Sequence, residues 1–197
     1  MSGLRESKKA ATRAEISRAA ARLALDHGAE ELTVAAVSAA AGVSTRTFHN
    51  YFAAMDEALV EFMVTRVSAL LDRLREAPAE AGLFDAVEWV ILDGLRGDGG
   101  VDTHLDSFAT LFRVSDLLLT MRGAAAVHEL DAQLRPLFEG LHSRTPHLDC
   151  FAAEVAVRAA AAVAQTALEH YVALPEPRDA AAAEDLVRRA FAVVRLS

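Results

Sequence analysis

The sequence predicts an all-α protein, an amino-terminal three-helix helix-turn-helix domain followed by a larger helical bundle domain, with about nine helices in total. Three observations predict it. Alanine and leucine dominate, with no sustained apolar/polar alternation of the kind a strand needs. Apolar residues recur at three- and four-residue intervals. Capping residues and breakers (Thr33, Ser44, Gly28, Gly42, Pro78, Pro175) fall where such runs begin and end.

Element by element, Thr12-Arg-Ala-Glu15 has capping-box spacing, so a first helix is expected over about 13–27, with Ile16, Ala20, Leu23 and Ala24 as its apolar stripe and Gly28 as its stop. Thr33 caps a second helix that Val34 and Val37 anchor and Gly42 ends. At about eight residues it is too short to stand alone and must be held by packing. Gly42-Val43 makes a tight corner, and Ser44 caps a third short helix through Phe52, with Phe48 and Phe52 on one face as core anchors. A helix over about 56–76 follows, with Asp56 and Glu57 in its first turn and Pro78 just past its end. Further helices are expected over about 83–95, 103–120, 124–143 (kinked at Pro136), 149–174 and 180–196. The expected domains are 1–54, a helix-turn-helix domain with a basic amino-terminal arm, and 55–197, the larger helical domain.

Composition bounds the rest. At 197 residues, 53% hydrophobic and 24% charged, the chain can bury a core without disulfide or metal, and Cys150 alone cannot form an intrachain bridge. The longest uncharged apolar run, Ala159 to Ala164, is far short of the roughly 20 residues a bilayer requires. Arg13, Glu15, Arg18 and Arg22 interrupt the stretch a signal peptide would need, so no membrane role and a cytoplasmic location are expected.

The net charge of −8 argues against nucleic-acid binding by the whole surface, but it is unevenly divided. Residues 1–51 hold seven Lys/Arg against five Asp/Glu, and the remainder holds 13 against 23. A basic head therefore sits on an acidic body.

Two short helices meeting at a glycine corner form a helix-turn-helix pattern, whose last helix can enter a major groove about 12 Å wide. With Phe48 and Phe52 inward, Thr45, Arg46, His49 and Asn50 face outward; Arg46 can fork onto guanine and Asn50 can pair with adenine. Thr33 and Ser44 place helix amino ends where phosphates could bind. An ordinary helical hairpin with a solvated polar face has the same spacing.

Helix 1 ending in Gly28, Leu32-Thr33-Val34, Ala41-Gly42-Val43-Ser44, Thr47-Phe48, Tyr51-Phe52 and Asp56-Glu57-Ala58-Leu59 together resemble the amino-terminal domain of the TetR family of bacterial transcriptional regulators, over about residues 10–62. The resemblance implies a homodimer that binds a palindromic double-stranded DNA operator and is released by a small-molecule effector. It implies phosphate contacts at Thr33 and Ser44, base-edge positions for Thr45, Arg46 and Thr47, and backbone contacts by His49 and Tyr51. His49 stands where the family mostly has tyrosine, and Met55 where it commonly has a phosphate-pairing lysine. With fewer contacts there, Arg5, Lys8, Lys9 and Arg13 are expected to supply much of the attraction.

In the body, Trp89, Phe108, Phe112, Met121 and Phe138 are candidates to line an effector pocket, with Arg113, His104 or His128 as polar partners; large apolar residues at this spacing also make an ordinary core. Ala152, Ala156, Ala160, Ala164 and Ala167 form a small-residue stripe, and Val187, Phe191 and Val194 a face that covers the stripe or pairs with a second copy. The resemblance places the dimer interface on these two helices. His142, His147 and Cys150 match no common zinc spacing, and the Gly97-Asp-Gly-Gly100 cluster lacks the strand, lysine and hydroxyl of a phosphate loop. With no Gly-x-Ser-x-Gly, His-Glu-x-x-His or dinucleotide fingerprint either, no metal, cofactor or enzyme activity is expected. The rival reading is a helical small-molecule-binding or protein-interaction module that touches no DNA.

Overall fold

A computed structural model describes residues 2–78, 80–96, 108–122, 148–175 and 179–195, together with 130, 132, 133 and 135. Among these residues the chain is all helical: α1 (Ser2–His27), α2 (Val34–Ala40), α3 (Thr45–His49), α4 (Met55–Glu76), α5 (Leu83–Arg96), α6 (Phe108–Arg122), α7 (Cys150–Val172) and α8 (Ala180–Arg195). No described helix is long and apolar enough to cross a membrane. The chain divides into two compact units, Met1–Arg66 with Arg113–Ala132, and Val67–Phe112 with Gln133–Ser197.

In the first unit α1 packs on α2 and α2 on α3. Ile16, Ala19, Ala20, Val37, Phe48, Phe52, Leu59 and Phe62 are buried. The glycines expected to end α1 and α2 do so with φ of +75° at Gly28 and +65° at Gly42, backbone that residues with a Cβ rarely adopt. The corner after α2 closes when the Val43 amide donates to the Ser38 carbonyl at 2.9 Å.

Two boundaries differ from expectation. The first helix begins at Ser2 rather than near 13, and Thr12 is no cap: its hydroxyl donates back to the Lys8 carbonyl at 3.0 Å, as an interior residue does. Capping-box spacing is outweighed by the run Leu4-Arg-Glu-Ser-Lys-Lys-Ala-Ala11, mostly good helix formers with no breaker. The basic arm is therefore part of α1. The third helix stops at His49 instead of reaching Phe52. Asn50 is its carboxy-terminal cap, and the Tyr51 and Phe52 amides both turn back to the Phe48 carbonyl. The glycine cluster at 97–100 lies outside the described residues, as do 103–107 of the expected sixth helix. Most of the expected 124–143 helix, including Pro136, lies outside them too.

Ser38 is the one polar side-chain atom among the described residues that is buried without a hydrogen-bond partner, and its residue is 2% exposed. An unpaired buried hydroxyl is costly, and alanine is also the better helix former. Ser38→Ala is therefore expected to raise the stability of the chain by about 1 kcal/mol in urea unfolding. A loss of stability would mean that the hydroxyl has a partner.

In the second unit α5, α7 and α8 pack on one another. Ala160, Ala164 and Ala167 of α7 and Ala183, Val187 and Phe191 of α8 are all buried, so the last helix covers the alanine stripe within one chain. Asp149 caps α7 by accepting from the Ala152 amide at 2.8 Å. Arg195, at the end of α8, reaches back to Asp85 at 2.6 Å and to Glu88 on α5. Partial burial pulls its guanidinium pKa down, but hydrogen bonds and charge from Glu88 and Asp85 outweigh this and hold it above its ordinary value.

Candidate nucleic-acid interface

The exposed ridge of the first unit is built from α3 outward. Ser44 Oγ accepts from the Thr47 amide at 3.0 Å and lies 2.8 Å from the Thr47 hydroxyl, which fixes the start of the helix. Phe48 is fully buried behind the ridge, its ring 5.8 Å from that of Phe52. A five-residue helix has too few internal bonds to hold itself, so this anchor sets its orientation.

Helical geometry then dictates the rest. Thr45, Arg46, His49 and Asn50 are exposed, with Ser44 beside them, while Thr47 and Tyr51 are half-buried. Among the described residues the Arg46 guanidinium has no hydrogen-bond or ion-pair partner, so its five donors are available. His49 stands edge-on to Phe48, ring centroids 5.5 Å apart. Thr33 caps α2 by accepting from the Ala36 amide at 3.2 Å and is exposed. Lys8 and Lys9 lie exposed on the first turns of α1. The expected ridge residues thus share one exposed element, and Thr33 and the two lysines lie on the neighbouring helices of the same unit.

Arg13 is placed differently from expectation. Its Nη1 donates to the Tyr51 carbonyl at 2.9 Å, its Nη2 to Glu61 at 2.8 Å, and its Cζ lies 4.4 Å from the centre of the Phe52 ring. A guanidinium paired with a carboxylate adds little free charge for phosphate, so Arg13 does not belong with Lys8 and Lys9. No sequence spacing links residues 13, 51 and 61, so only the folded chain reveals this contact. Glu57 also does more than occupy a favourable place in the first turn of α4, because its carboxylate accepts from the Ala53 amide at 2.8 Å.

Of the expected effector-pocket residues, Trp89 and Met121 are each 36% exposed. His104, His128 and Phe138 lie outside the described residues, as do the side chains of Phe108 and Phe112. Arg113 donates instead to the Leu25 carbonyl near the end of α1, at 2.9 Å. On the expected dimer face, Ala160, Ala164, Val187 and Phe191 are at most 1% exposed within one chain, so a second copy cannot touch them directly. Ala152, Ala156 and Val194 are half-buried. Among the described side chains, the exposed large apolar residues of these helices are Phe151, Val155 and Val193, a signal the alanine stripe obscured. Among the described residues no group of three or more His, Cys, Asp or Glu could hold a metal ion; His142 and His147 lie outside them.

Residues 16–61 match the profile of the bacterial regulatory proteins of the tetR family. No curated protein matches the chain. Among solved structures, the fatty acid degradation regulator FadR from Bacillus halodurans is similar, with a TM-score of 0.65 and 17% identity over 93% of this chain and 94% of that one. The multidrug binding protein EbrR, complexed with imidazole, has a TM-score of 0.52 and 22% identity over 90% and 93% of the two chains. A protein of Mesorhizobium loti MAFF303099 assigned to the TetR family of transcriptional regulators has a TM-score of 0.50 and 16% identity over 93% and 96%. At these identities the likeness is one of fold, and it extends along nearly the whole chain. The matched residues contain α2, α3 and the corner between them, and the chain as a whole shares its helical fold with these solved structures.

Proposed function

We propose that this chain is a TetR-type, helix-turn-helix transcription regulator that binds a palindromic operator as a homodimer, acts as a repressor, and is released by an apolar or amphipathic small molecule. The observation that carries the reading is the exposed ridge Ser44 to Asn50 with a fully buried Phe48 behind it. A rigid wedge of donors on a short helix suits the edges of a major groove. In this reading Thr45, Arg46 and Thr47 read bases, Asn50 can reach an adenine edge, and Thr33, Ser44, His49 and Tyr51 hold the backbone. Lys8 and Lys9 add attraction from the helical arm.

The second copy pairs through the exposed side of α7 and α8, where Phe151 is 76% and Val193 68% exposed and Val155 is exposed with them, rather than through the alanine stripe. The division into a DNA-binding segment, 1–54, and an effector-binding and dimerising segment, 55–197, belongs to the same proposal. FadR and EbrR are named for fatty acid degradation and multidrug binding, which favours an apolar effector here. Effector binding would favour a separation of the two recognition helices that no longer matches the roughly 34 Å of one duplex turn.

Fluorescence anisotropy with labelled duplex at a series of salt concentrations tests the reading. Affinity that falls steeply with salt is expected, and Lys8→Ala with Lys9→Ala should make the slope shallower by about one for each phosphate that is no longer neutralised. Removing residues 1–11 should do at least as much. A truncated protein that binds duplex as tightly as the full chain at the same salt would remove the arm from the mechanism. A chain that binds no duplex at low salt would favour the module that touches no DNA.

A further inference from the structure

From the contacts of its guanidinium, and resting on the DNA-binding reading above, we infer that Arg13 is a positioning residue for sequence recognition: it sets the angle at which α3 leaves the domain, without touching DNA. Three elements converge on it. It lies in α1, donates to the Tyr51 carbonyl just past the end of α3, and donates to Glu61 in α4. The same guanidinium lies over the ring of Phe52, which is 1% exposed.

The need for such a tie follows from the length of α3. Five residues leave the helix dependent on what holds its two ends. The Ser44 side chain fixes the first. At the second, the amides of Asn50, Tyr51 and Phe52 turn back into the helix, while the Tyr51 carbonyl is held by Arg13. Two donors in one plane serve two acceptors at 2.9 and 2.8 Å, a geometry that a guanidinium provides and a lysine ammonium does not. Because Glu61 balances its charge, Arg13 contributes to where the ridge lies and not to the attraction for phosphate.

This separates two measurable quantities. A phosphate contact changes the salt slope and weakens all duplexes alike, whereas a positioning residue changes the ratio of specific to nonspecific binding and leaves the slope alone. The experiment titrates the full-length chain, with Arg13→Lys, Glu61→Ala and Glu61→Gln, against a duplex selected from random sequence and against a scrambled duplex, over a salt series, with circular dichroism confirming folding.

For Arg13→Lys the expected result is a specific-to-nonspecific ratio lower by about tenfold with an unchanged slope, equivalent to about 1.4 kcal/mol. Glu61→Ala should lower the ratio in the same direction. Glu61→Gln, whose amide oxygen accepts the same bond, should restore most of it. If Arg13→Lys does not fold, the contrast between Glu61→Ala and Glu61→Gln decides. A slope shallower by about one in Arg13→Lys would make Arg13 a phosphate contact and overturn the inference. So would folded variants that all keep the native ratio, with the DNA-binding reading still standing. If the unaltered chain discriminates no duplex, that reading fails first and the inference with it.

Discussion

Phe48→Ala should cost the chain about 3–5 kcal/mol and abolish DNA binding with it. The side chain has no exposed surface, packs against Phe52 and His49, and stands between α3 and the rest of its unit. Truncating it removes the transferred apolar surface and leaves a cavity beside two helices of only seven and five residues. Neither helix is stable alone, so the local loss spreads through the wedge. Phe48→Leu, which keeps most of the volume, should cost considerably less. Urea unfolding followed by circular dichroism measures both. A loss below about 1 kcal/mol for the alanine variant would show that α3 is held by something other than this ring.

Arg46→Ala should leave that stability untouched and strike recognition instead. The side chain is exposed on the ridge and unpaired among the described residues, so removing it breaks no contact among them. If it forks onto a base edge, its loss costs about 1–3 kcal/mol, roughly 5- to 150-fold in affinity, and relaxes preference at one base step of each half-site. Selection with the variant should yield the native palindrome blurred at that step alone. Unchanged affinity and unchanged preference would place Arg46 away from the bases. A uniform weakening with a shallower salt slope would place it on phosphate.

The sequence is readable wherever the chemistry is local. Thr33 and Ser44 cap the helices they are expected to cap, and Gly28 and Gly42 take the positive φ expected of helix-ending glycines, because each of these depends on residues within a few positions. The helices at 55–76 and 150–172 lie close to their expected bounds for the same reason, with Pro78 and the Asp149 cap as punctuation. Thr12 shows the limit of a local rule: its spacing to Glu15 is that of a cap, but the residues before it form helix readily, and the hydroxyl bonds backward instead. The end of α3 escapes the sequence because Asn50 stops it in ordinary right-handed backbone, with no glycine to mark the turn.

The parts of the site that the sequence hides are contacts between distant residues. Arg13 reads as one more base of the arm because charge and position are all a sequence displays, while its partners lie 38 and 48 residues away. The alanine stripe is legible as a close-packing surface, but whether α8 of the same chain or a second copy covers it depends on which face of each helix turns inward. Burial of Ala160 and Ala164 with Val187 and Phe191 gives that face to the chain itself, leaving Phe151, Val155 and Val193 outside.

Selection of bound sequences from random duplex DNA by the full-length protein tests the central claim most directly. A wedge presented twice by a two-fold dimer predicts recovery of a palindrome whose half-site centres lie about one duplex turn, or a multiple of it, apart. Enrichment of no sequence, or of a single half-site without symmetry, would contradict it.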